Sequence, residues 1–201
     1  MRSNICKIEK GTRDLDAILR ESERVAEYSG LNHKQSLQLR LLCEEIDGML
    51  PNIIDDFDGE LWIDFEDEIC NVNVSIEIPE FNADKKENLI GIAKNKRNSA
   101  AVGIVGKIRD AIENFFLAES NMGAYPFPIT PIGLGTGYSE GVDYAYLWSL
   151  GEYRNSVVVE KDEQAEAWDE LEKSVIASVA DDVIVSVKGR KANITIVKKF
   201  A

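Results

Sequence analysis

Between residues 39 and 57 the apolar side chains fall three and four apart: Leu39, Leu42, Ile46, Met49, Leu50, Ile53 and Phe57. At about 100° per residue this spacing draws one narrow stripe down a helix. The stripe runs through Pro51, whose missing N–H and ring clash predict a kink or break. Gly48, just before it, weakens the helix further. The segment is therefore one bent helix or two short ones. Upstream, Asn4–Lys10 reads as a short strand with weak alternation around Ile5 and Ile8. A helix follows over about 14–28, capped by Thr12 or Asp14 and ended by Gly30, with Leu15, Ile18, Leu19, Val25 and Ala26 on one face. Asn32 is placed to cap the helix that carries the long stripe.

At Gly59 the period changes to two. Leu61, Ile63 and Phe65 alternate, then Cys70, Val72, Val74, Ile76 and Ile78. With Asp67-Glu68 as the turn and Pro79 as the stop, this is an antiparallel hairpin. A polar helix is expected from Asn82 to about Asn95, and another from Asn98 or Ser99 to about Ala118. The second buries Ala101, Val105, Ile108, Ile112 and Phe115 or Phe116. A Gly/Pro-rich excursion at about 120–145, with Pro126, Pro128 and Pro131, interrupts the rhythm. Residues 142–159 read as a strand or short helix and then a strand. Asp162 caps a helix over about 163–180, with Ala167, Leu171, Val175 or Ser174, Ser178 and Val179 inward. Val183, Val185 and Val187, a Gly189-Arg190 turn, then Ala192, Ile194 and Ile196 form a last hairpin. This order predicts one domain over 1–201. Its fold class is α+β: a two-layer sandwich with helices on one face of a mixed or antiparallel sheet.

Charge removes several function classes. Acids outnumber bases 36 to 23, a net charge of -13, so no whole-surface nucleic-acid footprint is expected. The basic run KNKR at 94–97 reads either as an anion contact or as a solubilising loop. The eight acids from Asp55 to Glu68 lack calcium-loop spacing and suit solubility and edge protection. His33 is the single histidine, which excludes a histidine-based triad or multi-histidine zinc site by counting. Cys6, Cys43 and Cys70 have no metal or redox spacing and read as reduced thiols of a cytoplasmic protein. No apolar run suits a transmembrane helix, and no apolar leader opens the chain.

The stretch LRLLCEEIDGMLPNII at 39–54 resembles a motif of the GHKL superfamily of nucleotide-binding domains. That superfamily includes histidine-kinase ATP domains and, as the nearest group, the bacterial anti-sigma serine kinases. There a helix presents a Glu and, four residues later, a magnesium-binding Asn. Matching the apolar positions makes Glu45 the Glu and puts Met49 at the Asn position; the Glu44 register puts Gly48 there. Asn52 is the substitute one turn beyond Gly48. The run Gly133-Leu134-Gly135-Thr136-Gly137 is similar to the glycines that wrap phosphates in the family, and Gly103-Ile104-Val105-Gly106-Lys107 is a second such run. Residues 169–200 resemble the last helix and hairpin of the anti-sigma group. No D-x-G-x-G follows the first hairpin, and Asp84 is the nearest acid after it.

The resemblance implies ATP and Mg2+ as cofactors, with Glu45 as the activating carboxylate and Glu44 beside the nucleotide. Gly133, Gly135, Gly137 and Lys107 would meet phosphates, and Asn52 the metal. With the family's metal and adenine ligands absent, it implies a nucleotide-binding regulatory protein with weak or absent ATPase or kinase activity. The alternative is a non-enzymatic interaction module that keeps the fold and binds no nucleotide. Trp62, Trp148, Trp168 and the aromatics of 125–153 would then meet a protein partner. A homodimer through the N-terminal strand and helix is a further implication. Each feature also has a plain reading. The two glutamates suit a solvated helix face, the 133–137 glycines an ordinary loop, and Gly103 and Gly106 close helix packing. Lys107 and Arg109, two residues apart, point different ways.

Overall fold

The computed structural model describes residues 1–11, 14–54, 57–77, 103–121, 145–159, 174–188 and 190–200. Expectations on 78–102, 122–144 and 160–173, the glycines Gly133, Gly135 and Gly137 among them, lie outside the described residues. Among the described residues there are six strands: β1 (Cys6–Glu9), β2 (Asp58–Glu66), β3 (Ile69–Glu77), β4 (Ala145–Ser149), β5 (Asp182–Lys188) and β6 (Lys191–Lys199). They make one sheet in the order β1-β2-β3-β6-β5-β4. Every neighbouring pair is antiparallel, so of the two expected forms the antiparallel one is found.

Register explains the core. Leu61, Val74, Ile194 and Val185 stand side by side across four strands, as do Ile63, Val72, Ile196 and Val183. All eight are buried. The intervening residues face the other side. There Trp62, Asn73, Thr195 and Ile184 form one row and Glu60, Ser75, Asn193 and Ser186 another, half-buried except for exposed Glu60. Period two with one apolar and one polar side is what a sheet covered on a single face requires. At the outer edge, Lys7 and Glu9 of β1 are exposed charges that discourage pairing with another strand. Asp67 and Glu68 close the β2–β3 hairpin with φ of 49° and 64°, the primed geometry that suits strand twist. The Phe200 N–H donates to the Glu68 carbonyl at 2.8 Å and anchors that turn.

The helices cover the apolar face and share one buried cluster with it. They are α1 (Leu15–Tyr28), α2 (His33–Ile53), α3 (Gly103–Asn121), α4 (Leu150–Val159) and α5 (Val175–Val179). Asp14 caps α1 by accepting from Ala17 N. Asn32 caps α2 in a reciprocal box with Gln35, which satisfies two otherwise orphaned donors. α2 is one helix, and Pro51 lies in its last turn. It ends at Ile53, where the Ile54 N–H still reaches the Leu50 carbonyl at 3.0 Å. Phe57, counted with the stripe, is buried outside the helix.

Two expectations need correction. Residues 150–159 are helix, not strand. Ser149 Oγ accepts from Glu152 N, and Asp182 Oδ1 accepts from Gly151 N at 2.9 Å, so the first turn is capped from β5. In α5 the inward residue is Ile176, while Ser178 is exposed. Ser174 is its cap rather than part of its inner face.

Candidate functional site

The apolar stripe of α2 decides where its acids point. Leu39, Leu42, Ile46, Met49, Leu50 and Ile53 are buried, which leaves Glu44 and Glu45 half-buried at the flanks. The two are not equivalent. Glu44 accepts from Arg40 Nε at 3.1 Å, and the same guanidinium reaches Glu23 of α1 at 2.5 Å. Glu44 therefore belongs to a tie between α1 and α2. The Glu45 carboxylate has no ion pair or hydrogen bond among the described residues. It is the acid left available on this helix.

One turn on, Met49 is buried, with 7% of its surface exposed. A thioether in a closed core is no ligand for magnesium, which demands hard oxygen donors. Gly48 has no side chain to offer, and Asn52 is exposed in the last turn. Among the described residues no three histidine, cysteine, aspartate or glutamate side chains gather to hold a metal. The described residues do not fit the implied Mg2+.

α3 packs against α2 and β4. It buries Ile104, Ile108 and Ile112, two of which belong to the predicted stripe. Lys107 is half-buried, with its ammonium 5.6 Å from the centroid of the Tyr153 ring on α4. Arg109 pairs instead with Glu113 at 2.7 Å, so the two cations do serve different neighbours. Burial, and next Glu113, push the Asp110 carboxyl up, against the pull of Lys107 and Arg109. Glu45 and Lys107 thus stand on two packed helices, with no direct contact between them. Trp148 packs against the core and Tyr153, whereas Trp62 lies on the polar sheet face. Trp168 lies outside the described residues.

Beside this region α4 is interlocked with the segment that follows α5. Arg154 of α4 donates to the carbonyls of Ala177, Ala180 and Asp181, while Asp182 receives Ser149 Oγ and Gly151 N from the start of α4. No local signal marks it, because the partners are more than twenty residues apart. The three cysteines are free and buried. Burial pushes the Cys70 thiol up to about 12 and Cys43 further in the same direction, which makes both poor nucleophiles. Two surface depressions, of 420 Å³ between β1 and α1 and 170 Å³ beside Gly59, involve neither Glu45 nor Lys107.

On the polar sheet face, Arg2 donates two bonds of 2.7 and 3.0 Å to Asp64, and Trp62 Nε1 adds one of 2.9 Å. These bonds, the Arg2 bond first, hold the Asp64 carboxyl below its ordinary range. A carboxyl held low supports the fold above its unfolded-state value and loses that support as pH falls through its folded value. Asp64→Asn is expected to unfold more easily at pH 7 and to converge with the unaltered chain below about pH 4. Urea midpoints measured across that range check it, and parallel curves would overturn the assignment.

Comparison with known proteins finds no matching family model, no matching curated protein and no matching solved structure. What stands defined is a class of fold, an antiparallel six-stranded sheet with helices packed against one face. No described helix is long and apolar enough to cross a membrane.

Proposed function

We propose that this chain is a nucleotide-binding regulatory protein of the GHKL type, taking ATP with weak or absent turnover. The observation that carries the reading is Glu45. It is the one acid of the motif-like helix that is half-buried and uncommitted, beside a partner acid engaged by Arg40. The arrangement of two N-terminal helices over a sheet ending in a hairpin supports the same reading. In a phosphoryl-transfer site a free carboxylate orients the attacking water or hydroxyl. Such transfer rests chiefly on neutralising phosphate charge. With Met49 where the family places its metal ligand, slow or absent turnover is expected.

Calorimetric titration with ATP and ADP, with and without magnesium, tests this. Saturable ATP binding with a dissociation constant below about 100 µM and little magnesium dependence is expected. Glu45→Gln should change that binding without moving the thermal midpoint. Absence of heat up to millimolar nucleotide would sink the reading. One observation, the buried Met49, favours the second reading, an interaction module that keeps the fold and binds a protein partner. A homodimer through β1 and α1 fits either reading by way of Ile5, which is 55% exposed, rather than by strand pairing, which the exposed charges Lys7 and Glu9 of the β1 edge discourage.

A further inference from the structure

The two cations near the start of α3 are held in chemically different ways. Arg109 is engaged by a carboxylate of its own helix. Lys107 extends to α4, where the Tyr153 ring receives its ammonium. Tyr153 is half-buried and braced by Trp148, with ring centroids 6.0 Å apart. Among the described residues no carboxylate stands within ion-pair distance of Lys107. Asp110 and Glu113 are the acids facing this stretch from α3, and Glu113 is taken by Arg109.

An aromatic face attracts an ammonium through its quadrupole and carries no counter-charge. A carboxylate in the same place would fix the lysine and cancel it. The ring fixes it without an ion pair and leaves its N–H donors for an incoming anion, with Asp110 of the same helix the acid that feels its charge. Half-burial adds to this, because weaker solvent screening strengthens attraction to an oxyanion.

We propose that Tyr153 is a positioning residue for Lys107, holding its ammonium at the α3–α4 junction to meet the phosphate oxygens of a bound nucleotide. The inference rests on the nucleotide reading above. It differs from a packing role because it depends on the ring rather than on bulk.

The test titrates the intact chain with ATP and, separately, with inorganic tripolyphosphate, and records each variant's thermal midpoint. Tyr153→Phe keeps the ring and is expected to bind both within about twofold of the unaltered chain. Tyr153→Leu and Lys107→Met are each expected to weaken both by about three- to tenfold. The double variant should be no worse than Lys107→Met alone, since both remove one interaction. Tyr153→Met, flexible and of similar bulk, replaces the leucine variant if that one does not fold. If ATP binds and the ringless variant matches the unaltered chain, Tyr153 serves packing only; the inference falls and the nucleotide reading stands. An equal loss in Tyr153→Phe would assign the effect to the hydroxyl and also overturn it. Tripolyphosphate binding that needs the ring, without ATP binding, keeps the positioning role and overturns the nucleotide reading. Binding of neither overturns both.

Discussion

Gly59→Ala is expected to destabilise the chain by about 3 kcal/mol, the upper part of the range for overpacking. Gly59 lies in β2 between two hydrogen-bonded neighbours, opposite Ile8 of β1 and Ile76 of β3. A Cβ there would fall well inside contact distance of the Ser75 carbonyl oxygen, with Ile76 Cα 3.1 Å and Ser75 C 3.2 Å away. All three obstacles are backbone, so no rotamer change relieves them. The β2–β3 ladder must part or β2 must shift. Gly48→Ala is the control. Gly48 is exposed in α2, and a Cβ there meets nothing within 4 Å. That variant should gain up to about 1 kcal/mol, because alanine is the better helix former. Urea denaturation of both separates the cases: at a slope of about 2 kcal/mol per molar, the Gly59 midpoint should fall by about 1.5 M. Equal midpoints would mean that the sheet yields locally at little cost.

The contrast between these glycines marks how far the fold could be read in advance. Gly59 shows in the sequence only as the point where the hydrophobic period changes from helix to strand. The close approach behind it comes from register with Ser75, which no local pattern reveals. Strands β2, β3, β5 and β6 were legible because their two sides meet different solvents, and alternation records that directly. α4 was not legible. Val157, Val158 and Val159 are β-branched and favour a strand, yet the segment is helical. Its first turn is capped by Asp182, 31 residues from Gly151, and its Arg154 holds carbonyls around α5. Tertiary partners outweighed propensity there. Of the candidate site, the chain marks the two adjacent acids: matching apolar positions singles out Glu45, and in the structure Arg40 engages Glu44 and Glu23. The Arg40–Glu44 spacing of four is visible in the chain. The reach from Arg40 to Glu23 on another helix is not.

Ile46→Ala is expected to cost about 4 kcal/mol, within the range for a buried isoleucine truncated in a core. Ile46 has no exposed surface, and Leu42 and Leu50 above and below it on α2 are also fully buried. Neighbours held on both sides cannot readily collapse into the space, so the cavity persists along with the lost transfer energy. Ile46→Val removes one methylene and should cost about 1 kcal/mol. Denaturant midpoints of the pair check the size, and a near-neutral Ile46→Ala would mean that α2 does not anchor this layer. The same pair bears on function, because Ile46 and Glu45 are adjacent but face different ways. If α2 stabilises with one face and binds with the other, Ile46→Val should lose stability and keep its nucleotide affinity, measured well below its unfolding midpoint. Glu45→Gln should keep its stability and change its nucleotide affinity. A common loss of stability and binding in both variants would show that the helix does not separate the two tasks, and Glu45 would then be one more residue of the scaffold.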